Sequence, residues 1–337
     1  MPDDAAIPAT TSGHAGSPPA PPRGAGRRWL AAIARVLGTL GLMAWALRGI
    51  EWERLWGVLR GADWRWWLAS LCCLLAVQGI AATRWAVLAR PVGFDFPLSV
   101  FVRRFFEGLF FNLFLPTSIG GDVVKAYRLA DTTAGRVLAG CTVLADRLAG
   151  LTAMGLIAAT ALVVERRSLS FLPALAVGAV FVGATMLVVR GMVGHLDRIA
   201  AMFPRSRAVD AVVARLLPYQ QRPGLVTSAI GWGLLVQIGG ILGTACLGRA
   251  LDIDVPLPAW FMVVPLVNLA TVMPISIGGV GVREGMMSVL LTPYGVSQER
   301  AVAVGLLSLL VVVTCGLFGG GVFLAEGRHG TKADEGP

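Results

Sequence analysis

Charged residues are scarce in this chain of 337 residues: Asp, Glu, Lys and Arg together make up 15% of it, whereas hydrophobic residues make up 55%. An ordinary soluble domain carries about 25% charged residues, so this composition does not favour a water-soluble enzyme. Apolar runs recur along the chain, and they reach the roughly 20 residues that a helix needs to cross a bilayer. The sequence therefore predicts an integral membrane protein.

Histidine and cysteine are also few. The three histidines (His14, His195 and His329) lie in predicted tails and a loop, which argues against a His-based proton relay inside the membrane. The five cysteines lie in apolar runs without any metal-binding spacing and are expected to be small packing residues. We therefore expect no metal site and no cofactor.

The net charge of +9 comes from basic residues placed between apolar segments. There they orient helices and meet anionic lipid headgroups, so we expect membrane lipids as partners and no nucleic acid. Residues 1–28 are rich in Pro, Gly, Ala, Ser and Thr and predict a disordered tail. Arg27 and Arg28 directly precede the first apolar run, which favours a cytoplasmic N-terminus.

The predicted fold is all-α: a polytopic membrane bundle of about six full transmembrane helices plus two broken or re-entrant segments. It occupies residues 29–325 and is followed by a C-terminal tail, 326–337. The loop 190–223 is expected to carry an interfacial helix or a plain connecting helix. The full helices are predicted at 29–48, 66–89, 137–164, 171–189, 225–248 and 299–324, and the interrupted segments at 98–119 and 257–296.

One phrase occurs twice, once in each interrupted segment: "PTSIGG" at 116–121 and "PISIGG" at 274–279. When the copies are aligned at Pro116 and Pro274, Lys125 falls on Arg283. Three predicted helices lie between the copies, an odd number, so the second copy is expected to run in the opposite sense. Such an inverted repeat with paired helix breaks is the sequence feature that best indicates a transport site.

A broken helix exposes backbone N–H groups and a positive dipole end that attract an anionic group. The paired glycines would let the backbone turn and a headgroup approach, and Lys125 and Arg283 would add positive charge. The alternative is that Pro and Gly only let crowded helices bend and pack. The glycines of the two copies are Gly120, Gly121, Gly278 and Gly279.

Other charged residues lie within apolar runs, where they need partners or a wet cavity. Structural ion pairs and a headgroup pathway are both compatible with them. For Asp122, N-capping of the following helix is the first interpretation and substrate contact the second. Asn112 and Asn268 are candidates to satisfy freed backbone groups. The charged residues concerned are Arg84, Asp146, Arg147, Arg283 and Glu284.

Four motifs, "RWAVL" (84–88), "NLFLPTSIGGDVVKAYRL" (112–129), "DRLAGL" (146–151) and "PISIGGVGVREG" (274–285), together resemble a flippase-like family. This family is named after the transmembrane region of bacterial lysylphosphatidylglycerol synthases. The resemblance implies a helical bundle with re-entrant segments that moves lipids or lipid-linked molecules between leaflets of the bacterial inner membrane. The matching residues are Arg84, Asn112, Pro116, Gly120, Gly121, Asp122, Asp146, Arg147, Pro274, Gly278, Gly279, Gly281, Arg283 and Glu284.

The resemblance implies an aminoacyl-transferase domain after the membrane part in the full synthases, whereas this sequence ends about a dozen residues after its last predicted helix, so we expect no enzyme activity. The distribution of basic residues between the loops favours both termini in the cytoplasm. The leading hypothesis is a flippase for a lipid with an anionic headgroup, supplied by pathway enzymes. A membrane-embedded transferase is one alternative, with Glu107, Asp122 and Glu284 as the nearest carboxylates. A non-transporting scaffold of a lipid or glycan pathway is the other.

Overall fold

The computed structural model describes residues 25–114, 120–164, 207–272, 276 and 278–330. These residues form helices and connections without a strand, as the all-α prediction requires. The α-helices are α1 Ala25–Ala46, α2 Trp52–Arg60, α3 Trp64–Ala89, α4 Leu98–Phe114, α5 Gly120–Leu129, α6 Thr133–Val164, α7 Arg207–Gln221, α8 Pro223–Ala250, α9 Leu257–Val272, α10 Val282–Leu291 and α11 Gln298–Gly330.

Four helices, α3, α6, α8 and α11, are long and apolar enough to cross a membrane. They confirm four of the six predicted full helices, with ends shifted by a few residues. The prediction for 29–48 corresponds to α1, whose described apolar part, Ile33–Ala46, is shorter. The prediction for 171–189 lies outside the described residues.

The long helices define two faces of the bundle. Helices α3 and α8 are antiparallel, since the Asp63 N–H before α3 donates to the Ala250 carbonyl at the end of α8 over 2.9 Å. The ends of α3 and α11 and the beginnings of α4, α6 and α8 share one side, which we name the Glu326 face. The beginnings of α3 and α11 share the other side, the Trp64 face.

The first interrupted segment is a re-entrant hairpin of α4 and α5. Glu107 of α4 contacts Arg128 near the end of α5 over 3.3 Å. Toward the break, the Asn112 side-chain oxygen accepts the Gly121 N–H over 2.8 Å. The two helices are therefore antiparallel, and the hairpin enters from the Glu326 face and returns to it.

The second interrupted segment is a re-entrant hairpin of α9 and α10 on the opposite side. Six residues separate the end of α8 from the beginning of α9, so α9 begins at the Trp64 face. Helix α10 returns to that face, because α11 begins there directly after it. At the start of α11, the Gln298 amide donates to the Ala46 carbonyl at the end of α1 over 3.2 Å. The two hairpins thus enter from opposite faces, as an inverted repeat requires.

Two surface helices complete the fold. Helix α2 was not among the predicted elements; Trp52 and Trp56 are exposed on it at the Trp64 face, where membrane proteins carry interfacial aromatics. Helix α7 confirms the helix expected in the loop 190–223. Its Tyr219 hydroxyl donates to the Leu88 carbonyl of α3 over 2.7 Å, and burial raises the pKa of this phenol above its ordinary value.

Candidate functional site

Arg84 of α3 and Asp146 of α6 form a buried ion pair. The Arg84 Nε and Nη2 atoms donate to the two Asp146 carboxylate oxygens over 2.6 and 3.1 Å. A two-pronged contact of this kind is the strongest form of the pair. The structure thus favours the ion-pair interpretation for these two predicted site residues: they join α3 to α6.

Asp122 holds two cations at the start of α5. Its carboxylate accepts the Arg147 Nε of α6 over 2.5 Å, and its other oxygen lies 3.1 Å from the Lys125 Nζ. The capping prediction for Asp122 was wrong, because α5 already begins at Gly120 and Asp122 lies inside its first turn. The Lys125 ammonium also lies 3.8 Å from the centre of the Phe105 ring.

The backbone at the first helix break is tied to the chain itself. A Cβ placed on Gly121 would lie 2.0 Å from the Gly108 carbonyl oxygen, so α4 and α5 touch at backbone distance. The Gly121 N–H is used by Asn112, which confirms the role expected for that asparagine and leaves this N–H unavailable to a headgroup. Pro116 lies outside the described residues.

Sequence reasoning missed an ionic cluster at the Glu326 face. Glu326 of α11 contacts Arg104 of α4 over 2.7 Å and Arg128 of α5 over 3.1 Å. Glu107, fully buried, shares both arginines at 3.0 and 3.3 Å. The prediction assigned Glu326 to a tail, whereas α11 continues to Gly330. The sequence indicated it only in that Glu326 follows the last apolar run closely enough to belong to the same helix.

The second helix break is a turn built on glycines. Gly278, Gly279 and Gly281 have positive φ angles of 63°, 77° and 83°, a region that only glycine enters at little cost. The Gly281 N–H donates to the Glu284 carboxylate over 2.6 Å. This N–H, like that of Gly121, is therefore used within the chain. Pro274 lies outside the described residues.

Arg283 is the second residue of α10 and lines a partly open cavity of about 140 Å³. Its Nη1 atom is buried and finds no hydrogen-bond partner in the described part of the chain. Helices α3, α8, α9, α10 and α11 contribute the walls. The polar residues among the lining are Ser70, Thr244, Asn268, Arg283 and Ser308.

The predicted site residues thus fall into two groups. The group on α3, α5 and α6 is joined by ion pairs, while Arg283 lines a cavity whose walls do not include Lys125. The expectation that Lys125 and Arg283 line one headgroup cavity is not met in this conformation. Asn268 lies with Arg283, whereas Asn112 lies with Gly121.

This arrangement defines a class: a multi-pass helical membrane protein with two re-entrant hairpins of opposite orientation and charged residues within the bundle. The family model of the lysylphosphatidylglycerol synthase TM region matches residues 30–319. The chain therefore belongs to this family, and the resemblance noted from its motifs is confirmed. A comparison with curated proteins finds no match.

Proposed function

We propose that this protein is a flippase that moves a lipid, or a lipid-linked molecule, with an anionic headgroup between the leaflets of a bacterial inner membrane. Its family is defined by the membrane region of lipid-modifying synthases, which supports lipid as the partner. The two hairpins, one from each face, supply the inverted halves that alternate in opening such transporters to either side. Both termini are proposed to be cytoplasmic.

The observation that carries the proposal is the partly buried side chain of Arg283, whose Nη1 atom is buried without a hydrogen-bond partner in the described part of the chain. A charged side chain within a bilayer costs about 3 kcal/mol even on the mildest insertion scale, and such residues mark substrate or ion pathways. Arg283 stands at the beginning of α10, at the break of the second hairpin, and lines a largely apolar cavity that also contains Ser70 and Asn268. An anionic headgroup that reaches this cavity would supply a direct ion-pair partner, which Glu284, hydrogen-bonded to the Gly281 N–H, does not.

A transporter is also favoured over the transferase alternative by what the candidate carboxylates do. Glu107 binds arginines, and Asp122 binds Arg147 and Lys125. Glu284 accepts the Gly281 N–H. Each carboxylate therefore forms an ion pair or a hydrogen bond within the chain. On this basis we propose that the protein is not itself an enzyme.

The test is leaflet transfer in vesicles that contain the purified protein. Phosphatidylglycerol with a fluorescent acyl chain is the anionic probe, labelled phosphatidylcholine is the zwitterionic probe, and dithionite bleaches the outer leaflet alone. We expect transfer of the anionic probe, and we expect Arg283→Gln to slow it by about tenfold or more, since a charge-assisted hydrogen bond contributes about 1.5–3 kcal/mol.

Arg249→Gln is the matched control, because Arg249 is an exposed arginine at the end of α8. It should transfer the probe at the wild-type rate. Transfer no faster than in protein-free vesicles, or equal rates for the wild type and Arg283→Gln, would contradict the proposal.

A further inference from the structure

Arg283 differs from the other cations that penetrate the bundle. Arg84, Arg104, Lys125, Arg128 and Arg147 each lie within salt-bridge distance of a carboxylate. Over the described ranges, Arg283 forms no salt bridge, and its buried Nη1 atom has no hydrogen-bond partner. The neighbouring Glu284 acts on it electrostatically, but that carboxylate accepts the Gly281 N–H. Burying an unpaired donor of a charged group is costly, so this position calls for an anion.

The first copy of the repeat shows the equivalent cation together with a counter-ion. In the first copy, the cation Lys125 has Asp122 three residues before it, with 3.1 Å between the ammonium and the carboxylate. In the second copy, the residue that aligns with Asp122 is Val280. The first cation therefore forms an ion pair within its own helix. The second forms none, since the adjacent Glu284 carboxylate accepts the Gly281 N–H.

The surroundings of Arg283 fit one small anionic group. The cavity volume of about 140 Å³ corresponds to about five water molecules at their liquid volume of roughly 30 Å³ each. Ser70, Asn268 and Ser308 line it together with the guanidinium. It admits a phosphate group with part of its ester arms, and because it is partly open, the rest of a lipid molecule can lie outside it.

The backbone N–H groups at the start of α10 do not bind the anion. The Gly281 N–H donates to Glu284 over 2.6 Å, and the Arg283 N–H donates to the Gly279 carbonyl over 3.0 Å. Both groups at the start of α10 are thus occupied. The anion would be held by the guanidinium and by Ser70 and Asn268 of the opposing helices, since the Ser308 hydroxyl donates to the Val304 carbonyl.

We propose that the Arg283 cavity is a binding site for a single phosphate monoanion or phosphodiester, and that Lys125 takes no part in it. The inference rests on the proposed function in taking a lipid phosphodiester as the physiological ligand. A free phosphate offers the same chemistry, and the two sources are separated by the experiment. One anion per chain is expected, since the first repeat already carries its own carboxylate.

The test introduces a carboxylate into the cavity without removing Arg283. Met287 lies four residues after Arg283 on α10 and lines the same cavity. Met287→Glu therefore supplies a built-in counter-ion, and Met287→Gln has nearly the same volume without the charge. Binding of dihexanoyl phosphatidylglycerol, inorganic phosphate and dihexanoyl phosphatidylcholine to the protein in maltoside micelles is measured by titration calorimetry.

We expect the wild type and Met287→Gln to bind the phosphatidylglycerol, and Met287→Glu to bind it at least about tenfold more weakly, because like charges in one site repel. Lys125→Met should bind like the wild type. If Met287→Glu does not assemble, Ser308→Asp against Ser308→Asn poses the same comparison from α11.

Binding of inorganic phosphate without binding of the lipid would uphold the anion site and refute the lipid as its ligand, and with it the proposed function. No binding of either anion by the wild type would overturn the site. Equal losses in the Glu and Gln variants, or no loss in the Glu variant, would also overturn it. Binding with failed leaflet transfer would leave the site standing and contradict the flippase proposal alone.

Discussion

Removing the Asp146 carboxylate should destabilise the whole bundle. Arg84 and Asp146 are joined by contacts of 2.6 and 3.1 Å, and their side chains are only 7% and 9% exposed. In Asp146→Asn the guanidinium stays buried without its counter-ion. Breaking a buried pair from one side costs about 3–5 kcal/mol, so we expect a loss of that size. Equilibrium unfolding of the purified protein by SDS in mixed micelles measures it.

The control removes both charges together. Arg84→Met with Asp146→Leu replaces the pair by apolar side chains, a change that is often neutral or stabilising in buried positions. The double variant should therefore be more stable than Asp146→Asn. A loss below about 1 kcal/mol in Asp146→Asn, or a double variant as unstable as the single one, would refute the assignment of this pair as a buried clamp between α3 and α6.

Two further changes test helix contacts by the same unfolding measurement. A Cβ on Gly319 would lie 2.1 Å from the Phe106 carbonyl oxygen, whereas one on Gly321 would meet nothing within 4 Å. Gly319→Ala should thus lower the free energy of unfolding by about 1–3 kcal/mol. Gly321→Ala should leave it unchanged or raise it by up to about 1 kcal/mol, because alanine has the higher helix propensity. Equal effects of the two changes would contradict the close contact of α4 with α11. Tyr219→Phe deletes the hydrogen bond to Leu88 and should cost about 1 kcal/mol, and no cost would contradict the docking of α7.

Much of the fold was predictable because bilayer thickness constrains helix length. Four long helices lie close to their predicted positions, because a run of about 20 apolar residues matches the length of a helix that crosses the bilayer. The hairpins were predictable as interruptions because Gly and Pro repeat in register. Their re-entrant geometry could not be predicted. The loops and their basic residues lie on the same sides of the membrane whether each interrupted segment is a hairpin or a pair of spans. Contacts such as Glu107 with Arg128 decide between the two.

The site was only partly predictable, because ion pairing depends on which helices become neighbours. The sequence indicated that Arg84 and Asp146 needed partners, but 62 positions separate them. Lys125 and Arg283 have equivalent places in the repeat and different environments, since Asp122 has no acidic counterpart at Val280. Glu326 was missed because the apolar run ends before it, whereas α11 continues to Gly330 and brings Glu326 to Arg104 and Arg128.

The account depends most directly on the two hairpins entering from opposite faces. Single cysteines are introduced into a cysteine-free variant at four hairpin ends and labelled with an impermeant thiol reagent in oriented vesicles. Leu98→Cys and Asp131→Cys should react from one side only, and Leu257→Cys and Ser297→Cys from the other side only. Reaction of all four from one side, or of the two ends of one hairpin from opposite sides, would contradict the account.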